Sequence, residues 1–237
     1  GYFKRIIIAG DGVEALQLVR SHVPDIIVSD VMMPRMNGYK LCKTIKEDIN
    51  ISHIPVILLT ARDDRQSQIS GYKNGADGYL SKPFEVEMLM ELIRNRLKNR
   101  EYTKKRYLNA GLIPTPEEST ISLTDETFLI KLNSIIQENI ENSNLGIQFI
   151  CQEVGLGRSS LYNKLKALTG MGANEYISKL RIEKAITLIS GTDMPFSEIA
   201  EKTGFTTPSY FSTAFKQYTG ETPSQYKERK KKGLADK

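Results

Sequence analysis

The sequence predicts an α/β half built on a parallel sheet, followed by an all-α half, and three observations carry that division. In residues 1–98, short continuous apolar runs alternate with stretches of helical apolar spacing. From Phe128 onward the strand-like runs stop and helical spacing takes over. Within that second part, a helix, a glycine-containing turn and a second helix occur in the same order twice. At 237 residues the chain has room for about two domains.

Taken in order, residues 2–9 (Tyr-Phe-Lys-Arg-Ile-Ile-Ile-Ala) form the first apolar run and are expected to be a strand, followed by a turn at Gly10-Asp11-Gly12 and a helix over 13–19. Residues 25–30 are the second run, closing on Asp30 just before the turn-forming stretch 31–38. Residues 55–60 end in the hydroxyl of Thr60, and residues 78–82 end in Lys82, just before Pro83. Helical spacing over 37–47, 63–73 and 85–98 fills the intervals. Continuous apolar runs are what buried parallel strands look like, and right-handed crossovers bring their carboxyl ends to one edge. Ligands bind beyond that edge in open α/β sheets. A lone Asp after a strand often only caps the next helix. Here an acid, a hydroxyl and a cation arrive together. A carboxylate nucleophile facing a donor hydroxyl and a fixed ammonium suits phosphoryl transfer, where positioning and charge neutralisation carry most of the catalysis.

On these residues the first part resembles the receiver domain of two-component response regulators, a flavodoxin-like α/β fold. The resemblance implies that Asp30 is the phosphoacceptor, that Thr60 and Lys82 bind the phosphoryl group, and that Tyr79 is the aromatic that swings inward on activation. It also implies a cis peptide at Lys82-Pro83, and Mg²⁺ bound by Asp30 and the backbone carbonyl of Met32. In one respect the sequence departs from the family. Receivers open with a βα unit carrying an acidic pair for Mg²⁺, whereas residues 2–19 match the second such unit, and Asp11 falls where the match expects a turn residue. The receiver is thus expected to be incomplete at its amino end, as in a piece of a longer protein, with Mg²⁺ binding and phosphate acceptance weak or absent in this chain.

In the second part, Phe128, Leu129, Leu132, Ile135, Ile136 and Ile140 fall along one helical face. Two similar units follow. The first runs over 145–157 and then 158–170, with its turn at Gly155; the second runs over 195–205 and then 206–220, with its turn at Gly204; each is helix, glycine-containing turn, helix. Thr169-Gly170 and Thr219-Gly220 close the two second helices with the glycine expected past a helix end. A long helix over 174–190, apolar along Tyr176, Ile177, Leu180, Ile182, Ala185, Ile186 and Ile189, would hold the units at a fixed separation. A short helix, a tight turn and a presented second helix are what a helix-turn-helix requires.

This repeat resembles the AraC/XylS-type DNA-binding domain over roughly 128–230, most closely at Ala200-Glu201-Lys202-Thr203-Gly204-Phe205 and Thr222-Pro223-Ser224-Gln225-Tyr226. The resemblance implies DNA contacts from Arg158, Ser159, Tyr162, Asn163 and Lys166 on the first reading helix, and from Ser209, Tyr210, Ser212, Thr213 and Lys216 on the second. Leu161, Leu165, Phe211, Phe215 and Tyr218 are expected in the core. Asn pairs with adenine and hydroxyls read permissively, so these residues spell no single operator.

The expected organisation is a partial receiver over 1–98, a linker over 99–127 and a DNA-binding domain over 128–237. Residues 99–107 extend the last receiver helix, and 109–124, with Gly111, Pro114 and Pro116, are expected to be an exposed connector. The formal net charge is +5, and much of the basic excess sits in Lys227, Arg229, Lys230, Lys231 and Lys232, too modest to identify a DNA binder by charge. Cys42 and Cys151 have no metal-ligand spacing and fit a reducing cytoplasm; His22 and His53 carry no assigned role. No apolar run of about 18 residues spans a membrane.

The function expected is a phosphorylation-controlled, sequence-specific transcription regulator of a two-component phosphorelay, not an enzyme, partnered by double-stranded DNA and a histidine kinase and acting as a homodimer. The combination also resembles the C-terminal portion of membrane-anchored hybrid two-component sensors. Two other readings are an Asp-nucleophile phosphatase of haloacid-dehalogenase type, against which Met32 stands where a second Asp would serve, and an interaction module with a degenerate receiver.

Overall fold

Asp11 begins the first helix, α1 (Gly12–His22): its Oδ1 accepts the amides of Val13 and Glu14 at 2.8 and 3.1 Å, donors that a helix start leaves bare. The structure, a computed structural model, describes residues 3–61, 75–110 and 122–235, with the side chains of 102–110 and 232–235 outside that description. The helix expected over 63–73 lies outside the described residues. The chain divides into two units, one of residues 1–128 with 167–170 and one of residues 129–166 with 171–237.

In the first unit α1 is followed by β1 (Ile27–Asp30), α2 (Gly38–Glu47), β2 (Val56–Ala61), β3 (Gly78–Lys82) and α3 (Val86–Ala110). Asn37 caps α2 by accepting the Lys40 amide at 2.9 Å. The three strands are parallel in the order β1-β2-β3, with Asp30 opposite Leu59 and Lys82 opposite Ala61. Central β2 buries Val56, Ile57 and Leu58 completely, as a strand covered on both faces does, and Leu41, Cys42, Ile45, Ile51 and Ile54 pack with it. Burial pushes the Cys42 thiol up to about 12, so it behaves as a small apolar group.

The strand expected over residues 2–9 does not form in the described part of that segment. Residues 3–9 carry no ladder, and Ile6 and Ile8 are 72% and 84% exposed. A strand exists only with a hydrogen-bonded neighbour, and none of the described strands pairs with this segment.

In the second unit helices follow one another, with no strand among the described residues: α4 (Leu123–Glu138), which begins in the first unit, then α5 (Ile147–Val154), α6 (Arg158–Thr169), whose last turn from Ala167 is counted with the first unit, α7 (Ala173–Gly191), α8 (Phe196–Lys202), α9 (Pro208–Thr219) and α10 (Pro223–Ala235). Helix α4 starts at Leu123, inside the stretch expected to be connector, because the Ser122 hydroxyl caps it by accepting the Asp125 amide at 3.2 Å. The apolar face read from the sequence is buried at Phe128, Leu129, Leu132, Ile135, Ile136 and Ile140. Helix α7 is packed on most sides, burying even Lys179 and Arg181. Around it, Ile182, Ala185, Ile199 and Ala200 meet an aromatic row in which Phe205, Phe211, Phe215 and Tyr226 lie 5.4–5.7 Å apart, centroid to centroid. Such edge-to-face pairs add about 0.5–1.5 kcal/mol each beyond burial.

The two turns share a backbone and differ in surroundings. Gly155 and Gly204 have φ of 75° and 71°, the left-handed region that an L side chain enters at a cost. A Cβ on Gly155 would meet open space, whereas one on Gly204 would lie 2.2 Å from the Ile140 carbonyl and 2.9 Å from the Arg181 guanidinium. Arg181 is itself held by the Asn142 carbonyl at 2.7 Å. Gly155→Ala is therefore expected to cost about 1 kcal/mol and Gly204→Ala about 3 kcal/mol or more. Thermal or denaturant unfolding checks the difference, and equal losses would contradict it.

Candidate functional site

At the carboxyl edge of the sheet, Asp30 ends β1 and Lys82 ends β3, and the Lys82 ammonium donates to Asp30 Oδ2. Asp30 Oδ1 accepts the Met32 amide at 3.1 Å. Partial burial pushes the Asp30 carboxyl up, but the Lys82 hydrogen bond, the Met32 amide and the lysine's charge together outweigh it and hold the acid below its ordinary range. The start of α2 comes close enough to fix this turn: a Cβ on Gly38 would sit 2.3 Å from the Asp30 carbonyl oxygen, and the Gly38 amide donates to Val31 O at 3.0 Å.

Thr60 lies between those two strand ends, on β2. It is 1% exposed, and its Oγ1 has no hydrogen-bond partner among the described residues. A buried hydroxyl left unsatisfied carries a desolvation penalty of about 1–3 kcal/mol, which a ligand oxygen would relieve. Tyr79, also on β3, is half-buried against the sheet's core. The Lys82-Pro83 peptide is cis, as expected.

The chemistry of a Mg²⁺ site is not assembled by the described residues. Asp30 is engaged by Lys82, and the Asp11 carboxylate caps α1 and accepts Arg35 Nε at 2.6 Å. Among the described residues no group of three or more His, Cys, Asp or Glu could hold a metal ion. Asp30 and the Met32 carbonyl are too few hard oxygens for this cation.

On the second unit, the expected reading positions emerge as helical faces. On α6, Arg158, Ser159, Tyr162, Asn163 and Lys166 are all exposed at steps of three and four, while Leu161 and Leu165 are buried beneath them. On α9, Ser209, Tyr210, Thr213 and Lys216 are exposed and Ser212 is half-buried, over a buried Phe211 and Phe215. Thr207 caps α9 by accepting the Tyr210 amide at 3.2 Å, with Pro208 in the first turn. Tyr218 is a correction: it is 37% exposed, and its hydroxyl donates to Glu175 O at 2.8 Å, because the first turn of α7 offers that carbonyl at the helix surface.

Sequence reasoning missed two residues of these helices. Gln217 is exposed four residues after Thr213 and eight after Ser209, a spacing that would have placed it on the same face. Lys164 is wholly buried in α6, and only its step between Leu161 and Leu165 hints at that.

Residues 2–94 match the response regulator receiver domain family, and residues 150–229 match a helix-turn-helix domain family. Over 224 residues, 94% of this chain, the sequence is 42% identical to Histidine kinase P4 of Formosa agariphila, of whose length it spans 16%. It is 30% identical over 181 residues to "Probable transcriptional regulator ycf29" of Pyropia yezoensis, covering 72% of this chain and 82% of that protein. It is 28% identical over 228 residues to Transcriptional regulatory protein HptR of Staphylococcus aureus, covering 95% and 88%.

Replacing Lys82 by Met is expected to raise the Asp30 carboxyl towards the ordinary aspartate value of about 3.9. Because the folded value is depressed, the stability this ion pair contributes is present above that value and lost as pH falls through the folded one, so Lys82→Met should shrink the acid-side loss. An NMR titration of the Asp30 carboxyl checks this; an unchanged midpoint would assign the depression to the Met32 amide instead.

Proposed function

The chain belongs to the response regulators that join a receiver domain to an AraC-type helix-turn-helix domain, and from that premise we propose that Asp30 is its phosphoacceptor and that charge placed there controls DNA reading by α6 and α9. The single observation that carries the acceptor is the convergence at one sheet edge of Asp30, Lys82 and the Thr60 hydroxyl, which has no hydrogen-bond partner among the described residues. In the step proposed, an Asp30 carboxylate oxygen attacks the phosphorus of a phosphohistidine. The P–N bond breaks and the imidazole departs with its electron pair. Lys82 then pairs with the acyl phosphate and the Thr60 hydroxyl donates to a phosphoryl oxygen. Drawing Thr60 in frees space for Tyr79 and biases an existing equilibrium rather than making a new fold. No step is routed through Mg²⁺, for which this chain's residues supply only Asp30 and the Met32 carbonyl.

The reading helices would meet double-stranded DNA through Arg158, Ser159, Tyr162, Asn163 and Lys166, and through Ser209, Tyr210, Ser212, Thr213 and Lys216. Their exposure over a buried apolar floor supports this. Dimers on repeated half-sites would gain affinity from tethering. The protein is proposed to act in the cytoplasm as a regulator rather than a turnover enzyme, with a histidine kinase as donor. No helix of the described residues is long and apolar enough to cross a membrane. A second reading, in which the kinase is part of the same polypeptide, draws on the likeness to Histidine kinase P4 and leaves the residue roles unchanged.

Two measurements test the proposal. In the intact protein charged by a histidine kinase, mass spectrometry should locate the phosphoryl group on Asp30, and Asp30→Ala should remove it; a label surviving that substitution would overturn the assignment. For the reader, Lys166→Ala or Lys216→Ala should each lower the salt slope of DNA binding by about 0.9, uniformly across sequences. Asn163→Ala should cost about 1–3 kcal/mol on the preferred duplex alone. Binding indifferent to all three would remove these faces from the interface.

A further inference from the structure

The first turn of α4 is bonded to the receiver more intimately than a connector needs. The Ser52 hydroxyl, wholly buried, donates to Asp125 Oδ1 at 2.7 Å, and Asp125 is 2% exposed. Beside it the Thr124 hydroxyl donates to the Lys46 carbonyl at 2.9 Å, at the end of α2. Lys46 is a node. Its ammonium, in a side chain 11% exposed, reaches Ile54 O at 2.9 Å, Ser52 O at 3.3 Å and the Asp77 carboxylate at 2.8 Å. Asp77 immediately precedes β3 and also accepts the Val56 amide, the first of β2, at 2.7 Å. Strand β3 carries Tyr79 and ends at Lys82, the partner of Asp30.

A carboxylate taken this far out of water is costly unless its bonds are kept, so the Asp125 contact should be made or broken as a whole. It is also reached from the acceptor edge by a continuous series of bonded groups: Asp30 to Lys82, along β3 to Asp77, across to Lys46, and on to Thr124 and the Ser52–Asp125 pair. Helix α4 then continues past Phe128 into the second unit. Coupling along such a series requires an element with two arrangements.

We propose that Thr124 and Asp125 form an intramolecular latch on α2 and the loop after it, tied to β3 through Lys46 and Asp77, and that this latch passes the state of Asp30 into α4. The inference rests on the Asp30 control proposed above. Ser52 and Asp125 are positioning residues here, with no role in phosphoryl transfer or base reading.

The test combines hydrogen exchange and DNA affinity on the full chain. Asp125→Ala opens the latch directly, and Ser52→Ala removes one bond while leaving the carboxylate. Amides of residues 126–129 should exchange about 5- to 30-fold faster in either variant, with exchange in β2 unchanged as the sign that the fold is kept. Asp30→Ala, which releases Lys82, is then placed in each background, and affinity is read by anisotropy on a duplex selected from random sequence by the unmodified chain. It should shift affinity about fivefold or more in the parent background and leave it nearly unchanged when Asp125 is Ala or Ser52 is Ala. Equal shifts in all backgrounds would overturn the latch and leave Asp30 control standing. No shift in any background would overturn the latch, while control by phosphoryl charge on Asp30 is decided separately by binding with and without that charge; no gain in exchange would overturn the latch as well.

Discussion

The meeting of Asp30 and Lys82 is the interaction on which the chemistry proposed for the first unit depends. The two residues stand on the outer two of the three described strands, and the parallel course of β1, β2 and β3 brings both carboxyl ends, with Thr60 between them, to one edge. Both side chains are more than a third exposed, and pairs of that kind contribute about 0–1 kcal/mol. Its weakness matters more than its contribution. An ion pair that adds little stability is cheaply rearranged, whereas the sheet core beneath it, where Val56, Ile57 and Leu58 are wholly buried, is not.

The second unit is organised by the opposite logic. The side chains proposed to read DNA are exposed apart from the half-buried Ser212, and beneath them lies an apolar floor: Leu161 and Leu165 under α6, Phe211 and Phe215 under α9. Helix α7, buried on most sides, leaves little freedom between the two motifs. The second motif is held more tightly at its turn, where Gly204 faces the Ile140 carbonyl and Arg181, than the first is at Gly155.

What could be read in the sequence was whatever depends on local order. Apolar runs ended at Asp30, Thr60 and Lys82, and glycines marked both turns and both helix ends, so the parallel sheet, the meeting of those three residues at one edge and the paired motifs were all legible. What escaped depends on distant partners. Residues 3–9 have the composition of a strand, yet a strand is a pairing and not a property of its own residues. Ser122, Thr124 and Asp125 looked like connector because capping residues and loop residues are the same types, and the burial of Asp125 is decided by Ser52, far away in sequence. The burial of Lys164 and the surface bond of Tyr218 to Glu175 are likewise set by tertiary neighbours.

The central claim is that one added charge at the sheet edge changes how two groove-reading helices engage DNA. Its most direct measurement is a pair of binding isotherms for the intact protein on one operator duplex, with and without acyl phosphate on Asp30, at matched salt. The account predicts a change in affinity or in protein-to-DNA stoichiometry; superimposable isotherms would contradict it.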